Sequence, residues 1–383
     1  MSVTAARGFR ASGVTAGLKA SGRPDVALVV NDGPERSAAA VFTSNRFAAA
    51  PVHWTRQAVA DGELHAAILN SGGANACTGP DGFADSHRTA ECVADLLGTG
   101  AGEVAVCSTG LIGERLPMDR LLAGVASAAA TLHADGGSDA AIAIMTTDTV
   151  PKTAVAHGDG FTVGGMAKGA GMLAPGLATM LVVLTTDASA DASTLDAVLR
   201  RATGVTFDRI DSDGCMSTND TVLIMASGAS GVSPGAAALT DAVVAVCADL
   251  AQQLIHDAEG ASKDIRIDVR HALTEDDAVE VARAVSRSNL LKCAIHGEDP
   301  NWGRVLSAVG TTRASFDPDR VDVAINGVWV CRSGGVGDSR DLVDLSGREA
   351  VITIDLGAGA ADATLWTNDL TADYVHENSA YAT

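Results

Sequence analysis

The sequence predicts an α/β protein in which strands and helices alternate along the whole chain. Short apolar runs of strand length recur between segments with helical spacing, and no internal repeat or low-complexity linker interrupts them. Hydrophobic residues make up 47% of the 383 residues and aromatic residues only 3%, so Ala, Val, Leu and Ile must fill the core. A chain of this length is sufficient for two or three domains of about 150 residues each.

Hydrophobic periodicity assigns the individual elements, and two predicted helices begin with cap-like spacing. Ser193 with Asp196, and Thr274 with Asp277, pair a hydroxyl with an acidic residue three positions later. Residues 1–23 are polar and Gly-rich, which predicts an irregular entry. The predicted strands are 26–30, 38–42, 66–69, 103–107, 180–184, 222–226, 265–269, 321–330 and 351–356, and the predicted helices are 86–97, 116–132, 193–203, 240–256 and 274–286.

Charge and cysteine content restrict the class of protein. The formal net charge of −20 argues against nucleic acid and anionic membranes as partners. The seven Cys residues are odd in number and include no Cys-x-x-Cys pair, which is typical of reduced thiols in a cytoplasm. Residues 1–23 lack the apolar core of a signal peptide, and no run of about 20 apolar residues predicts a membrane span. We therefore expect a cytoplasmic protein.

Neither a metal nor a cofactor is predicted from the motifs. His-x-x-x-His and paired-Cys spacings do not occur. The Asp-rich stretch 209–221 lacks the closing Glu of a calcium loop. The Gly-rich loop 70–79 has neither the spacing of a dinucleotide-binding loop nor the lysine of a Walker loop. Its small residues would instead let the backbone approach a ligand or another chain closely.

The most informative stretch runs from Lys168 to Leu184, where a Gly-rich loop gives way to a short apolar strand. Thr179 lies at this junction, and the simplest interpretation is that it begins a buried strand. A second interpretation is that the bond between Ala178 and Thr179 is cut, which makes Thr179 a new N-terminus. A threonine hydroxyl is a poor nucleophile without an adjacent base, and a free α-amino group with a pKa of about 7.7–8.0 supplies one.

The stretch around Thr179 also resembles a known family. Met166-Ala167-Lys168-Gly169-Ala170-Gly171-Met172-Leu173-Ala174-Pro175, followed by Leu177-Ala178-Thr179-Met180-Leu181, resembles the self-cleavage segment of the ornithine acetyltransferases, also called glutamate N-acetyltransferases. Further matches run from about residue 40 to the C-terminus. The resemblance implies a layered helix–sheet fold of a self-cleaved N-terminal-nucleophile enzyme with a smaller C-terminal domain. It also implies an alpha chain of residues 1–178 and a beta chain of residues 179–383, which fold together after cleavage.

Thr109 and Gly110 come just after the predicted strand 103–107, where a hydroxyl and a backbone N–H aimed at one point would suit an oxyanion. An ordinary strand-to-loop turn has the same local pattern. The resemblance implies that these two residues form the oxyanion hole and that the Gly-rich loop 70–79 lies near the active site. His296, in the polar stretch 288–304, could pass for a general base, but the resemblance makes the Thr179 amine the base. We therefore interpret residues 288–304 as a structural or interfacial loop.

Several other polar residues are candidates for substrate contact. Thr146 is preferred, with its neighbour Thr147 as the near alternative that the sequence does not separate from it, in a stretch that local propensity would also allow to be β-rich. Glu259 could be a solvated residue at a helix end, and the resemblance makes it a carboxylate for a cationic amino acid such as ornithine. The substrate contacts that the resemblance implies are Thr146, Lys168, Thr179, Glu259, Asn378 and Thr383.

The predicted reaction is transfer of an acetyl group from N-acetylornithine to glutamate through an acetyl-Thr179 intermediate. The resemblance implies a heterotetramer of two alpha and two beta chains, and it leaves open whether acetyl-CoA is also a donor. One alternative is an N-terminal-nucleophile amidohydrolase or aminopeptidase that gives the acyl group to water. A second is an uncleaved, non-catalytic binding relative.

Overall fold

The fold is seen in a computed structural model that describes residues 2–174 and 180–380 of the chain. The predicted cleavage site, Ala178 and Thr179, and the predicted substrate contact Thr383 lie outside the described residues. The described residues divide into two compact units, the second of which is the smaller and lies towards the C-terminus.

The first unit is formed from Met1–Asp208 and Cys215–Asp257 and contains two sheets. Its strands are β1 Phe9–Val14, β2 Val26–Asn31, β3 Ala38–Phe42, β4 Ala66–Ser71, β5 Val104–Thr109, β6 Lys152–His157, β7 Thr162–Lys168, β8 Leu181–Thr186 and β9 Thr221–Ala226. Its α-helices are α1 Ala50–Ala58, α2 Gly79–Leu97, α3 Met118–Ala130, α4 Gly137–Ala143, α5 Ala192–Val205 and α6 Ala236–His256.

The two sheets have the strand orders β1-β2-β4-β5 and β3-β9-β8-β7-β6. Side chains alternate between two cores, as the period of a strand requires. In β2, Val26, Leu28 and Val30 face helices α1 to α3, whereas Ala27 and Val29 face residues of the five-stranded sheet. Because both faces are buried, such strands appear in the sequence as uninterrupted apolar runs.

Helices cover the outer faces of both sheets. Helices α1, α2 and α3 pack on the four-stranded sheet, while α5 and α6 pack on the five-stranded sheet. The first unit is therefore layered as helices, sheet, sheet and helices, and the predicted layered α/β fold is confirmed. Small Ala side chains are frequent between the sheets, which allows a close approach with few aromatic residues.

Helix α6 has the length and apolar composition of a membrane-spanning helix, although polar residues interrupt its apolar sequence. It carries Asp241 and Asp249, and nine of its residues are buried. Its buried face packs against β6, β7 and α5. The hydropathy of α6 is accordingly that of a core helix.

The predicted cleavage point falls between β7 and β8. These strands pair antiparallel from Val163 opposite Thr186 to Lys168 opposite Leu181. Residues 1–178 would thus contribute three strands of the five-stranded sheet and residues 179–383 the other two, β8 and β9. A cut before Thr179 would leave both pieces in one sheet.

The second unit is formed from Arg209–Gly214 and Ala258–Tyr381 and is built on one mixed sheet of order β13-β12-β11-β14-β10-β15. Helix α7 packs across β10 and β15 over an apolar core. The strands are β10 Asp264–Ala272, β11 Asp322–Ile325, β12 Val328–Arg332, β13 Gly335–Val336, β14 Glu349–Asp355 and β15 Ala361–Asn368. The helices are α7 Glu275–Ser286, α8 Asn289–His296, α9 Trp302–Val309 and α10 Ala372–Ala380.

Two predictions of irregular structure are wrong. Residues 1–23 contain β1, which pairs with β2 along its whole length, and such long-range pairing leaves little local signal. Residues 288–304 form α8 and the start of α9, joined by a short connection at 297–301, rather than one continuous loop. Their polar residues act as helix caps: Ser288 Oγ accepts from the backbone of Leu291, and Asn301 Oδ1 accepts from that of Arg304.

The two predicted caps have different outcomes. Thr274 caps α7 by accepting a hydrogen bond from the Asp277 backbone at 3.1 Å, as predicted. Helix α5 is instead capped by Asp191, which accepts from the Thr194 backbone at 2.7 Å. Ser193 lies inside the first turn and donates to Asp191, so its assignment as the cap is wrong.

Candidate active site

The ends of the parallel strands β4 and β5 bring Thr109 against the Gly-rich loop 70–79. The backbone N–H groups of Gly72 and Gly73 both donate to the carbonyl oxygen of Thr109, at 2.9 and 3.0 Å. Parallel neighbours end at the same edge of a sheet, which is where ligands of open α/β sheets commonly bind. The two stretches that the sequence placed near one site are therefore in direct contact.

Gly110 is required by the backbone at this point. Its φ of +135° is rarely adopted by residues with a side chain, and a Cβ there would lie 2.4 Å from the Gly73 nitrogen. This close approach explains the Thr-Gly pair at the end of β5, whatever further role it has. Replacing Gly110 would push the two loops apart.

Asn219 ties the same loops together from the segment that leads into β9. Its Nδ2 donates to the carbonyl oxygens of Ala74 and Ser108, at 2.6 and 2.8 Å. Ser108 Oγ in turn donates to Asn70 Oδ1 at 2.6 Å. All of these groups are buried, so the hydrogen bonds fix the strand ends with little competition from water.

Lys168 is the last residue of β7 and lies opposite Leu181 at the start of β8. Its side chain is almost fully buried, and Nζ donates to Thr109 Oγ1 at 3.3 Å. Two of the residues predicted from the sequence are thus in contact, one at the end of β5 and one at the end of β7. A buried cation beside a hydroxyl is suited to a substrate that carries or develops negative charge.

A cluster of buried charged side chains lies beside the end of β7, where Lys168 is located. The side chain of Lys152 is fully buried, and Nζ lies 2.7 Å from Asp148 Oδ1 and 2.6 Å from Asp257 Oδ2. Asp148 also accepts from the backbone of Gly169 at 2.7 Å. Burial by itself would raise the pKa of Asp148, but the charges of Lys168 and Lys152 outweigh burial and lower this pKa to about 2.

Thr146 belongs to this cluster through Asp148. Its backbone N–H donates to Asp148 Oδ2 at 2.9 Å, and its hydroxyl lies 3.5 Å from the same oxygen. Thr146 is thus hydrogen-bonded to the carboxylate on which the charge of Lys168 acts. A role of Thr146 in substrate contact stays a prediction. The β-rich alternative for this stretch is wrong, because α4 occupies Gly137–Ala143 and β6 begins only at Lys152.

Lys152→Met is expected to destabilise the first unit strongly. It would leave the carboxylates of Asp148 and Asp257 buried without their shared cation, which typically costs about 3–5 kcal/mol. At roughly 2–4 °C per kcal/mol, the melting temperature should fall by on the order of 10 °C in calorimetry. Arg10→Met, which breaks the exposed pair with Asp32, is the matched control and should cost under about 1 kcal/mol. Equal shifts for both variants would contradict this account.

Lys19 is a residue that the sequence analysis missed. The backbone of Leu18 packs 3.1 Å from where a Gly72 Cβ would stand, and this places the N-terminal segment on the Gly-rich loop. Burial is the main reason that the pKa of Lys19 is lowered to about 8, with Asp148 and Lys168 among the charges that act on it. No sequence spacing links Lys19 to these residues, so only the fold could reveal it.

In the second unit, the C-terminal helix α10 places Asn378 against Glu259. Asn378 Nδ2 donates to Glu259 Oε2 at 3.0 Å. Gly260 has a φ of +61°, and a Cβ there would lie 2.2 Å from the Tyr374 nitrogen, so glycine permits this docking. Thr371 Oγ1 also donates to the Gly260 carbonyl oxygen at 2.6 Å. The tail, whose composition is typical of a frayed end, is therefore held as a helix up to residue 380.

A cavity of about 270 Å³ in the second unit borders Glu259. Lys292 is buried in its wall and donates to the Ser212 carbonyl oxygen and, at 3.1 Å, to Thr367 Oγ1. Burial lowers the pKa of Lys292, and the charges of nearby carboxylates oppose this. Fixed charges of both signs are suited to a zwitterionic small molecule. The lining residues are Ser212, Asp213, Gly214, Glu259, Ser286, Arg287, Asn289, Lys292, Asp369, Leu370 and Tyr374.

His296 contacts a carboxylate and a hydroxyl through the same ring nitrogen, which is not the arrangement of a catalytic triad. Its Nδ1 lies 2.9 Å from Asp369 Oδ2 and 3.2 Å from Ser262 Oγ, and Ser262 donates to the same Asp369 oxygen. In a catalytic triad the carboxylate and the hydroxyl contact opposite nitrogens of the imidazole. Among residues 2–174 and 180–380, no group of three or more His, Cys, Asp or Glu side chains could hold a metal ion.

The predicted site residues thus fall into two described groups. Thr109, Gly110, Lys168 and Thr146 lie together in the first unit. Glu259 and Asn378 are hydrogen-bonded to each other in the second unit. Lys19, Asp148, Lys152, Asn219 and Asp257, together with Lys292, were not predicted, because their roles depend on burial and on partners distant in sequence.

Comparison with known proteins identifies the family. The Arginine biosynthesis bifunctional protein ArgJ of Streptomyces coelicolor is 70% identical over 382 residues, with all of both chains covered. The protein of the same name from Mycobacterium tuberculosis is 58% identical over 388 residues, which cover 99% of this chain and 96% of that protein. A crystal structure of ornithine acetyltransferase complexed with ornithine, also from Mycobacterium tuberculosis, is 62% identical over 47% of this chain and 96% of its own, with a TM-score of 0.45. The ArgJ family model matches residues 10–383, which confirms the family resemblance of the sequence: the chain belongs to the ArgJ family.

Proposed function

We propose that this protein is a self-cleaving acyltransferase that moves the acetyl group of N-acetylornithine to glutamate. The observation that carries the proposal is the contact of Lys168 with Thr109, beside the Gly72–Gly73 backbone, in a chain of the ArgJ family. The ornithine in the structure of one relative and the bifunctional arginine-biosynthesis name of others support this choice of substrates.

Self-cleavage comes first in the proposed mechanism. The Thr179 hydroxyl adds to the carbonyl carbon of Ala178, the bond to the Thr179 nitrogen breaks, and water hydrolyses the resulting ester. The products are a carboxylate on Ala178 and a free amine on Thr179. Because this amine is a base on the same residue, Thr179 then has the means to activate its own hydroxyl.

Acetyl transfer follows in two half-reactions. The Thr179 hydroxyl attacks the acetyl carbonyl of N-acetylornithine and its proton passes to the amine, which returns a proton to ornithine as the amide bond breaks. The α-amino group of glutamate then attacks the acetyl ester and regenerates the hydroxyl. Thr109 and Gly110 would stabilise the oxyanion of each tetrahedral intermediate, at a place where buried donors are already fixed.

Charged groups would hold the amino-acid part of the substrate. Lys168 offers a cation for a carboxylate, and Glu259 offers an anion for the side-chain ammonium of ornithine. Thr146, Asn378 and Thr383 complete the proposed set, together with Thr179. Arg and Lys pairs with carboxylates give this type of recognition because charge-assisted hydrogen bonds are stronger than neutral ones.

The broader assignments are part of the same proposal. The word bifunctional in the names of the relatives supports acetyl-CoA as a second acetyl donor. The cleaved pieces 1–178 and 179–383 would assemble as a heterotetramer of two alpha and two beta chains in the cytoplasm. Glutamate is the acceptor with either acetyl donor. The active site must therefore bind its α-carboxylate and its α-amino group in both reactions.

An assay of both products tests the proposed function. Purified protein is given N-acetylornithine with and without glutamate, and ornithine, N-acetylglutamate and acetate are measured. We expect ornithine release to depend on glutamate and to equal the N-acetylglutamate formed. Ornithine and acetate released equally well without glutamate would instead identify an amidohydrolase. Replacing N-acetylornithine by acetyl-CoA tests the second donor, and a single uncut chain without either activity would favour the binding relative.

Glu259→Gln is expected to weaken the use of N-acetylornithine more than that of acetyl donors that lack a side-chain amine. The substitution keeps the hydrogen bond to Asn378 possible but removes the negative charge. Loss of a charged partner typically costs about 1.5–3 kcal/mol, so kcat/KM should fall by roughly 10- to 150-fold. Glu275→Gln, at an exposed carboxylate paired with Arg209, is the control. An equal loss with N-acetylglycine as donor would refute the assignment.

A further inference from the structure

Lys19 is a cation beside the candidate active site that the proposed function does not use. It lies in the segment between β1 and β2 and is half-buried. Among the residues that the structure describes, its Nζ donates to one acceptor, the carbonyl oxygen of Pro24, at 2.8 Å. An ammonium group has three N–H donors, so two donors of Lys19 are available to a ligand.

The segment that carries Lys19 is held in place by the buried carboxylate of Asp25. Asp25 Oδ2 accepts from the backbone N–H groups of Leu18 and Lys19, at 2.6 and 3.1 Å, and Oδ1 accepts from that of Ala16 at 2.6 Å. The Asp25 carbonyl oxygen also accepts from the backbone of Ser71, in the Gly-rich loop, at 2.9 Å. The backbone of Lys19 is therefore fixed relative to that loop before any ligand binds.

A short series of contacts connects this segment to Lys168. The carbonyl carbon of Leu18 lies 3.1 Å from where a Gly72 Cβ would stand, and the Gly72 N–H donates to the Thr109 carbonyl oxygen at 2.9 Å. The hydroxyl of Thr109 accepts from Lys168 Nζ at 3.3 Å. Burial lowers the pKa of Lys19 to about 8, and the nearby charge of Lys168 acts in the same direction. A bound anion would oppose both effects.

The first unit has three lysines, and Lys152 is unsuited to a ligand. Its side chain is fully buried, and Nζ donates to the carboxylates of Asp148 and Asp257 and to the Val150 carbonyl oxygen. All three of its donors are thus used within the protein. Lys19 is therefore the ammonium group near Lys168 that has donors to offer.

The two amino acids of the proposed reaction differ in the charge of their side chains. Ornithine carries an ammonium group there and glutamate a carboxylate. An anion such as Glu259, which suits ornithine, would repel the side chain of glutamate. Glutamate therefore needs a second cation besides the one that binds its α-carboxylate, and a hydrogen bond between an ammonium and a carboxylate is stronger than a neutral one.

We propose that Lys19 binds the side-chain carboxylate of glutamate and thereby selects glutamate as the acetyl acceptor. The inference rests on the proposed acetyl transfer and names the residue that distinguishes its acceptor. Lys168 would bind the α-carboxylate and Lys19 the second carboxylate. Because two neighbouring ammonium groups repel each other, the pair favours a ligand with two carboxylates over a ligand with one. Ornithine lacks the second carboxylate and gains nothing from Lys19.

The test compares two acceptors with the same donor, N-acetylornithine. In one assay glutamate is the acceptor and N-acetylglutamate is measured; in the other, isotope-labelled ornithine is the acceptor and labelled N-acetylornithine is measured. Lys19→Gln should lower kcat/KM for glutamate by roughly 10- to 150-fold, mainly through KM, because a charged hydrogen-bond partner is lost. The exchange of ornithine should continue at nearly the wild-type rate.

Two further variants separate charge from structure. Lys19→Arg keeps a cation and should retain most of the glutamate transfer. Arg23→Gln removes an exposed cation from the same segment, and this matched control should use both acceptors as the wild type does. The Gln of Lys19→Gln keeps an N–H donor for the Pro24 carbonyl oxygen, so its melting temperature should stay close to that of the wild type.

The outcomes distinguish this inference from the proposed function. Equal losses with both acceptors would assign Lys19 a structural role, and an unchanged KM for glutamate would exclude it from the acceptor site; either result overturns the inference alone. A loss seen only with acetyl-CoA as donor would assign Lys19 to a phosphate and would overturn it as well. Wild-type protein that acetylates neither glutamate nor ornithine would contradict the proposed function itself, and the inference with it.

Discussion

Thr179→Ala is expected to remain a single chain of 38.6 kDa and to transfer no acetyl group. Both reactions use the same oxygen, which attacks the Ala178 carbonyl in self-cleavage and the acetyl carbonyl in turnover. Removing it should eliminate both, whereas wild-type protein should give fragments of 178 and 205 residues, since 383 − 178 = 205. A loss of catalytic nucleophile and base together typically lowers turnover by about 10⁶-fold.

Thr179→Ser is the matched control for this variant. It keeps a hydroxyl and, once cut, an α-amino group, so some cleavage and some transfer should persist. The measurements are denaturing gels, N-terminal sequencing of the larger fragment and the glutamate-dependent transfer rate. Cleavage of Thr179→Ala at the same bond would show that another group does the cutting.

Thr109→Ala is expected to slow acetyl transfer by roughly 10²–10³-fold, with only a smaller increase in KM. The hydroxyl would act on charge that exists only in the tetrahedral intermediate, and such an interaction lowers kcat rather than substrate binding. The structure adds a second consequence, because Lys168 loses the hydroxyl that it contacts at 3.3 Å. Some increase in KM through Lys168 should therefore accompany the larger loss in kcat.

Thr109→Ser separates these two effects. Serine keeps the hydroxyl for both the oxyanion and Lys168, so most of the activity should return. Only chains that have already been cut are compared, so that a delay in processing is not mistaken for a loss of transfer. A change confined to KM in Thr109→Ala would assign Thr109 to substrate binding instead.

The strongest sequence predictions were those in which local pattern and tertiary environment agree. The run from Met180 to Leu184 is a buried strand as predicted, because β8 is covered on both faces and needs apolar residues throughout. The Thr274 cap of α7 was also predicted, since a cap is made within one turn. The association of Thr109 with loop 70–79 came from the family resemblance, and neither segment alone would have revealed it.

What the sequence could not predict depends on contacts between distant residues. Lys152 appears in the sequence as an ordinary polar residue, yet its side chain is fully buried between Asp148 and Asp257, 105 positions away. The prediction of a loop at residues 288–304 failed for another reason. Asn and Ser favour both loops and helix starts, and only the structure distinguishes the two uses.

The division of the five-stranded sheet between two chains would change the molecularity of folding. In the precursor, β7 and β8 are linked by twelve residues, 169–180, and such a link corresponds to an effective concentration on the order of millimolar. After the cut, the same strands could find each other again only by diffusion as separate polypeptides. Refolding would then depend on protein concentration, and unfolding would be practically irreversible in dilute solution. Wild-type protein should accordingly recover poorly from denaturant, whereas the uncut Thr179→Ala chain should recover well.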